Sequence, residues 1–455
     1  MAQMSQAGDL TSGPMLKKII LFSLPLAASS FLQLLFNAAD VVVVGRFVGS
    51  AALAAVGSNG ALINLLVNLF VGLALGANVV AARCYGAKDD QGVHEAVQTA
   101  VTLSLVGGVL MAFVGFFAAH GLLELMSSPE DVIDLATLYL KIYFIGMPMT
   151  MLYNFNASLL RAVGDTRRPL VCLAVAGVIN VVLNLVFVIV FQMSVAGVAL
   201  ATILSQTVSA IMVTVLLVKE EGAMHLDLRH LGFHKKAMLQ IIQIGLPAGL
   251  QSVMYSLSNI IIQASVNGFG TDVMAAYTAY GKVDGMYWMV INAFGVAITT
   301  FVGQNFGARL YDRMKKSINV CLGIAAAVTL LLSGVLMVVA EPLLGLFSDD
   351  AQVLEIGLSI VRLIVPTYIT YIFIEILSGA MRGAGDSLIP TIMTLTGVCL
   401  LRVFWVTVVV STHHELNVLL LSYPITWIVT SGMFMVYYLR GRWLKRCIAL
   451  QNAEN

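Results

Sequence analysis

Three acidic side chains lie in stretches that are otherwise apolar, and they are the residues of this sequence best suited to do chemistry. They are Asp40, Asp284 and Glu375, whereas the other 21 of the 24 acidic residues fall in loops or at helix ends. An acidic residue at the centre of a membrane helix costs about 2.5–3.5 kcal/mol on insertion scales, so it faces a cavity or a partner. Each of the three is therefore a candidate functional residue.

Asp40 is the strongest of these candidates. It lies in FNAADVVVVGRF, downstream of a kinking proline, Pro25. Asn180 and Asn184 share one helix face because they are four residues apart, and Thr202 lies on the next predicted helix. Together these oxygens could hold a proton or a monovalent cation such as Na⁺ around Asp40. The alternative is structural: Asp40 bound to nearby amides, and the asparagines serving as interhelical packing contacts.

The second half of the chain offers a less defined group. Lys282 and Asp284 do not face one another on a regular helix, so each needs a partner of its own. Glu375 could reach Lys282, and a structural ion pair competes here with a functional role. Nearby aromatic and methionine side chains could line a pocket for flat lipophilic cations, or simply pack. The candidate cavity residues are Asp40, Asn37, Asn154, Tyr255, Asn259, Lys282, Asp284, Met286, Trp288, Met289 and Glu375.

The composition indicates what kind of scaffold must position these residues. Of the 455 residues, 59% are hydrophobic and only 11% are charged, against roughly 45–50% and about 25% in soluble domains. A soluble globule of this size is excluded, since it could not cover itself with polar surface. A formal net charge of +1 and the lack of a basic run argue against a nucleic-acid partner. The chain is predicted to be an all-α polytopic membrane protein in a lipid bilayer.

Apolar runs of spanning length predict twelve transmembrane helices. They lie near 17–45, 51–82, 92–119, 132–160, 168–191, 195–218, 236–265, 272–303, 314–341, 352–381, 387–411 and 416–439. With the amino terminus in the cytoplasm, 20 of the 25 Lys and Arg residues fall on the cytoplasmic side and one, Arg46, falls outside. This asymmetry predicts that both termini are cytoplasmic.

The two halves of the sequence resemble each other at an offset of 221. Lys141–Pro169 aligns without a gap onto Arg362–Pro390, and LLRAVGDTRRP matches AMRGAGDSLIP. After a one-residue slip, Pro25 pairs with Pro247 and Asn37 with Asn259. Six helices per half give two parallel repeats. We therefore predict a six-helix lobe at 1–218, a cytoplasmic loop at 219–235 and a second six-helix lobe at 236–455.

The sequence lacks several motifs of nucleotide-binding proteins and enzymes, which limits the classes of function to consider. The sequence has no GxxxxGK[ST] loop, no HExxH or GxSxG motif and no Cys/His metal spacing. We therefore expect that the protein is not an enzyme and has no cofactor. We also expect that an ion gradient supplies the energy for its function. A duplicated helical membrane chain is typical of a secondary transporter, in which two bundles rock about a central cleft.

Several motifs together resemble the multidrug and toxic compound extrusion (MATE) transporters. These are FNAADVVVVGRFVGSAALAAVG, the LLRAVGDTRRP and AMRGAGDSLIP pair, and FVGQNFGA, and the likeness extends over roughly residues 15–445. It is closest to the bacterial branch with the DinF-like proteins. The resemblance implies two six-helix lobes in a V, and export of organic cations in exchange for H⁺ or Na⁺. We also expect a functional monomer in the bacterial cytoplasmic membrane.

The resemblance also implies roles for single residues. Asp40 matches the aspartate of the amino-terminal-lobe cation site, and Asn180 and Thr202 match further positions of that site. Asn184 is a departure, because many relatives carry a second aspartate there, which makes Na⁺ binding less secure than proton binding. Tyr255 is a second departure from the family pattern, since one branch of the family has a glutamate at this position. Lys282 followed by an acidic residue resembles a pattern of several bacterial members.

Two other functions remain as alternatives. A flippase for a lipid-linked precursor would need a cationic cavity for a pyrophosphate, and only Lys282 and Arg402 lie deep in the predicted membrane region. A receptor or intramembrane enzyme lacks support, because no paired catalytic constellation is present.

Overall fold

The computed structural model describes residues 8–125 and 130–454, which form helices joined by short turns and contain no β-strand. Within these residues eleven helices are long and apolar enough to cross a membrane. A pair bent by 49°, Val132–Ile145 and Met147–Ala162, makes a twelfth span. Pro148, at the start of the second member, lacks a backbone donor and accounts for the break. The prediction of an all-α fold with twelve spans is confirmed.

The described residues of the first half form seven α-helices. They are α1 (Met15–Phe47), α2 (Ser50–Gly86), α3 (Asp90–Leu125), α4 (Glu130–Ile145), α5 (Met147–Ala162), α6 (Arg167–Leu185) and α7 (Ser194–Lys219). α6 continues as a π-helical turn over Val186–Val190. A short 3₁₀ turn, Gly222–Met224, follows α7.

The second half repeats this order of spans, but some of its spans are divided into shorter helical segments. Its helices are α8 (Lys235–Asn267), α9 (Thr271–Gly307), α10 (Tyr311–Gly345), α11 (Ala351–Ile364), α12 (Tyr368–Gly383), α13 (Leu388–Thr394), α14 (Leu401–Phe404), α15 (Leu416–Leu420), α16 (Ser422–Leu439) and α17 (Arg442–Glu454). A 3₁₀ turn, Val365–Thr367, joins α11 to α12, and π-helical turns Leu395–Leu400 and Trp405–Val410 lie on either side of α14.

The observed helices differ from the predicted spans in ways that have a physical cause. α2 and α9 end four residues beyond the predicted 82 and 303, at Gly86 and Gly307. Hydropathy marks the apolar stretch, whereas the backbone hydrogen bonds continue through the polar residues that follow. The helix α17 was not predicted. It buries Trp443, Leu444 and Cys447 on one face, and it is too short and too polar to give a spanning signal.

Contacts divide the chain into two compact units. Unit 1 contains Leu24–Leu246 with the residues before Leu10, and unit 2 contains Leu10–Ser23 and Pro247–Asn455. The change of unit falls at Pro25 in α1 and at Pro247 in α8, where a proline removes one helical hydrogen bond. Each unit thus takes a short helical segment from the other half of the sequence. The predicted lobe boundaries at 218 and 236, and the predicted V, stay predictions.

Small residues form much of the core of unit 1. Ala77, Ala81, Ala96 and Ala100 are fully buried between α2, α3 and α5. Small side chains let membrane helices approach closely, so that packing rather than water exclusion holds them together. Large apolar side chains instead lie on the outside, for example those of Phe113, Phe117, Leu331 and Val338. Such an outer surface suits contact with lipid.

Candidate ion and substrate sites

The four residues predicted to form an ion site lie together in unit 1. Asp40 on α1 is only 9% exposed, and Asn184 at the end of α6 is fully buried. The side-chain amide of Asn184 donates hydrogen bonds to Oδ1 of Asp40 and, at 3.3 Å, to Oδ1 of Asn180. The hydroxyl of Thr202 on α7 lies near Asp40 and donates to the backbone carbonyl of Val198 at 2.9 Å.

A close approach of α1 and α6 sets this geometry. A Cβ at Gly177 would lie 1.7 Å from a ring carbon of Phe36, so only glycine leaves room for the ring. Phe36 lies one turn before Asp40, and Gly177 lies one turn before Asn180. This contact therefore aligns the acid on one helix with the amides on the other. The π-helical turn that begins at Val186 lies directly after Asn184, and such turns are frequent at functional sites.

The surroundings of Asp40 are neutral. Its described hydrogen-bond partner is the amide of Asn184, the nearby hydroxyl of Thr202 is neutral, and no described Lys, Arg or His forms an ion pair with Asp40. The Oδ1 atom of Asn184 is buried and has no hydrogen-bond partner in the described part of the chain. Carboxylate, carbonyl and hydroxyl oxygens are ligands for hard cations. The arrangement can therefore hold a proton on Asp40 or an oxygen-coordinated monovalent cation.

Unit 2 holds its central acid in a different way. Oδ1 of Asp284 on α9 accepts hydrogen bonds from the hydroxyls of Tyr368 and, at 3.2 Å, Tyr280. Its Oδ2 accepts one from the indole nitrogen of Trp288 at 2.7 Å. The hydroxyls of Tyr280 and Tyr368 lie 3.0 Å apart. Three neutral donors thus satisfy this carboxyl group without a cation.

Glu375 and Lys282 do not form the ion pair considered above. Glu375 on α12 accepts a hydrogen bond at 3.2 Å from Tyr371, whose hydroxyl is 3.5 Å from that of Tyr255 on α8. The side chain of Lys282 is exposed. The structure therefore joins Tyr255 and Glu375 through Tyr371 and leaves Lys282 out of this group.

The remaining predicted cavity residues are dispersed. Asn37 and Met286 are exposed, and Met289 is half-buried. Asn154 donates to the backbone carbonyl of Thr150 on its own helix at 2.8 Å. Asn259 accepts a hydrogen bond from Arg402. The contacts of these residues do not gather them into the clusters around Asp40 or Asp284.

Sequence reasoning missed several partners in these sites. Tyr280 and Trp288 stand four residues before and after Asp284, and this helical spacing could have identified both as partners. Tyr368 lies 84 residues away and gives no local signal. The Phe36–Gly177 contact was equally beyond the reach of the sequence, because it depends on how two distant helices meet.

The chemistry of these sites differs from that of a transition-metal centre. In the described residues no three His, Cys, Asp or Glu side chains lie close enough together to hold a metal ion. The five cysteines are all free thiols. The three acids of the spans are single carboxylates with amide, hydroxyl and indole partners.

The chain resembles known proteins along most of its length. A sequence model of the MatE family matches residues 25–186 and 247–408, one segment in each repeat. The probable multidrug resistance protein YoeA of Bacillus subtilis (strain 168) is 28% identical over 431 residues, which cover 93% of either chain. The probable multidrug resistance protein NorM of Thermotoga maritima is 25% identical over 444 residues, 95% of this chain and 94% of that one.

Solved structures share the fold. A transporter of the MOP superfamily from Pyrococcus furiosus Vc1 superimposes with a TM-score of 0.89 over 98% of each chain, at 24% identity. An outward-facing multidrug resistance MATE family transporter gives 0.87 over 97% of this chain and 98% of that one, at 23% identity. Since the MatE model covers more than half of the sequence and the twelve-helix fold agrees, the chain belongs to the MatE family of multi-pass membrane transporters, the MATE transporters.

Proposed function

We propose that this protein exports small, mostly cationic amphiphiles across a bacterial cytoplasmic membrane in exchange for H⁺ or Na⁺, and that Asp40 carries the coupling ion. The names of relatives from Bacillus subtilis and Thermotoga maritima, which refer to multidrug resistance, support drug-like substrates. The distribution of Lys and Arg supports cytoplasmic termini. We expect a functional monomer, and the likeness to the DinF-like branch stays a prediction.

One observation carries the proposal: a buried carboxylate with only neutral partners. Asp40 is hydrogen-bonded to Asn184 and lies near Thr202, and no described cation neutralises it. A charge in this position is costly unless a proton or a cation occupies the site. Ion binding and release at Asp40 therefore change the free energy of the surrounding helices.

The coupling follows from this charge. When an ion enters from outside, it neutralises Asp40 and favours release of the substrate; substrate entry from inside favours release of the ion. One elementary charge moved across 100 mV is worth about 2.3 kcal/mol. At about 1.4 kcal/mol per factor of ten, one coupled ion supports a substrate gradient of roughly 50-fold.

The test is efflux of a fluorescent organic cation from proteoliposomes under an imposed pH gradient and, separately, an imposed sodium gradient. Wild type is compared with Asp40→Asn, which keeps an acceptor oxygen for Asn184 but removes the charge. Asp349→Asn, in an exposed turn, is the matched control for loss of one carboxylate. We expect gradient-driven efflux in wild type and in the control, and its loss in Asp40→Asn.

The gradient that drives wild type identifies the coupling ion. If Asp40→Asn, correctly folded, responds to that gradient as wild type does, the assignment of Asp40 is wrong. If neither gradient moves the cation in wild type, drug export is wrong, and the flippase alternative becomes the next hypothesis to test with a lipid-linked substrate.

A further inference from the structure

Unit 2 contains a buried cation that has no counter-charge in the described structure. Arg402 on α14 is 2% exposed, although its position is central in a predicted span. A guanidinium stays protonated at any physiological pH. No described carboxylate lies within 4 Å of its nitrogens, in contrast to Arg168, which pairs with Asp165 and Glu220. A buried charge is expected to be paired, so the lone guanidinium requires an explanation.

The contacts of Arg402 are weak and incomplete. One terminal nitrogen donates to Oδ1 of Asn259 at 3.3 Å, and the other donates to the hydroxyl of Thr426 at 3.4 Å. Both distances are at the long end for a hydrogen bond. The Nε–H group is buried and has no acceptor. The guanidinium thus retains donor capacity that neutral neighbours leave unused.

Aromatic side chains cover one face of the guanidinium. Its carbon lies 4.3 Å from the ring centre of Tyr423. The ring of Tyr423 lies 5.5 Å from that of Trp427, and its hydroxyl is 2.6 Å from that of Tyr277. The charged guanidinium of Arg402 therefore lies beside apolar rings. An aromatic molecule with an anionic group suits this environment.

A polar side chain of α8 lies beside Arg402. Ser252, Ser256, Asn259 and Gln263 form a polar stripe at helical spacing within this apolar span. Polar side chains of a membrane helix face a water-filled cavity or a partner and not lipid. Asn259 is exposed, and it is the residue that contacts Arg402. The guanidinium therefore lies one side chain beneath a polar surface.

The local backbone also favours a functional role. α14 is a single turn of α-helix between the π-helical turns Leu395–Leu400 and Trp405–Val410. Two π-helical turns in one span are unusual, since each adds a residue to a turn at the expense of regular hydrogen bonding. They determine how the segment that carries Arg402 faces its neighbours.

We propose that Arg402 is an anion-binding group that takes the carboxylate of an aromatic amphiphile. A carboxylate matches the two-pronged guanidinium in a charge-assisted, bidentate contact, which is stronger than the long bonds to Asn259 and Thr426. The ring of Tyr423, which is partly exposed, then packs against the apolar part of the ligand. This inference rests on the proposed function and extends its substrates to molecules that carry an acid as well as a cationic group.

The test uses two rhodamine dyes that differ only at one carboxyl, a cationic ethyl ester and its free acid. Fluorescence anisotropy measures the binding of each to the full chain in lipid nanodiscs at neutral pH, without a gradient. The readout is the ratio of the two affinities. Three variants are compared with wild type: Arg402→Gln, Arg402→Lys, and Asn259→Asp, which places an internal carboxylate beside the guanidinium.

We expect Arg402→Gln to lower the acid-to-ester affinity ratio by about tenfold or more, because the ester cannot form the charge-assisted contact. Arg402→Lys keeps the charge and should retain part of the preference. Asn259→Asp should lower the ratio because its own carboxylate competes for Arg402.

An acid-to-ester ratio within about twofold of wild type in Arg402→Gln overturns the proposal. If Arg402→Gln does not fold, Asn259→Asp decides by the same criterion. Because no gradient is applied, this result is independent of ion coupling at Asp40. Failure of the anion site and failure of ion-coupled export are thus distinguishable.

Discussion

The two repeats share a helical plan but carry their acids at different places. The offset of 222 that pairs Asn37 with Asn259 places Asp40 opposite Ile262, which is fully buried in an apolar cluster with Val266 and Val406. The offset of 221 that matches α2 with α9 places Asp284 opposite Ile63, which packs against a second apolar cluster. Each unit therefore has an acid where the other has isoleucine.

The duplication therefore preserved the packing of the helices but not the positions and partners of their buried acids. Apolar contacts between helices are non-directional, so a change of residue at one position is easily absorbed. A buried carboxylate needs specific donors, and each acid has acquired its own set. Asp40 has an amide and a nearby hydroxyl, whereas Asp284 has two tyrosines and an indole. We infer that the first acid is suited to exchange an ion, and that the second is held in one state.

The largest effect is expected on the stability of the protein, which should fall more when Asp284 is replaced than when Asp40 is replaced. Asp284→Asn turns an amide donor toward the indole N–H of Trp288 or the hydroxyl of Tyr368. A buried donor left unsatisfied costs about 1–3 kcal/mol, and we expect the upper end because charge-assisted bonds are also lost. Asp40→Asn keeps its acceptor for Asn184 and should cost less than about 1 kcal/mol. Denaturant unfolding in detergent measures both values, and an equal loss would contradict the contrast.

The second prediction concerns the helical segment that each unit takes from the other half of the sequence. In unit 1 a Cβ at Gly76 would lie 2.4 Å from the carbonyl oxygen of Ile241, so α2 and α8 touch backbone to backbone. In unit 2 the corresponding contact is between the rings of Phe22 and Phe301, whose centres are 6.3 Å apart. Gly76→Ala should therefore destabilise unit 1 by about 2 kcal/mol through overpacking.

The control for this substitution lies on the same helix. A Cβ at Gly60 meets no atom within 4 Å, so Gly60→Ala should not lower the unfolding temperature. Equal unfolding temperatures for the two variants would show that the backbone contact does not stabilise unit 1.

A third prediction tests how the number of carboxylates in unit 1 sets its ion preference. Asn184→Asp places a second carboxylate against Asp40, and two such groups cannot both ionise without a bound cation or a shared proton. We expect Na⁺ affinity to rise about tenfold, seen as a larger thermal stabilisation by NaCl than in wild type. The exposed Asn417→Asp controls for net charge. A variant that responds to NaCl no more than wild type would contradict this account.

The smallest effect is expected for Lys282 and Glu375. These side chains form no ion pair, because Glu375 is bonded to Tyr371 and Lys282 is exposed. A double-mutant cycle with Lys282→Met and Glu375→Gln should give a coupling energy below about 0.5 kcal/mol. A larger value would show that the charges of Lys282 and Glu375 interact.

Much of the fold was accessible from the sequence because hydropathy and charge asymmetry act on whole segments. Spans, repeats and the kinking prolines Pro25 and Pro247 all leave local or periodic signals. The grouping of Asp40, Asn180 and Asn184 was also accessible, since they are polar residues in apolar helices, and its role as an ion site stays a prediction. The partners of Asp284 were only partly accessible: Tyr280 and Trp288 follow helical spacing, but Tyr368 comes from another helix.

The sequence alone indicates that this chain lies in a membrane and that it is duplicated. It also identifies the few polar side chains that the membrane must accommodate. The cost of placing a charge in lipid makes those residues visible without coordinates. Only the tertiary structure decided which of them meet. It joined Asp40 to Asn184 through the space that Gly177 leaves for Phe36, separated Lys282 from Glu375, and placed no carboxylate of the described residues within 4 Å of Arg402. Such contacts depend on the separation and rotation of distant helices, which no local pattern encodes.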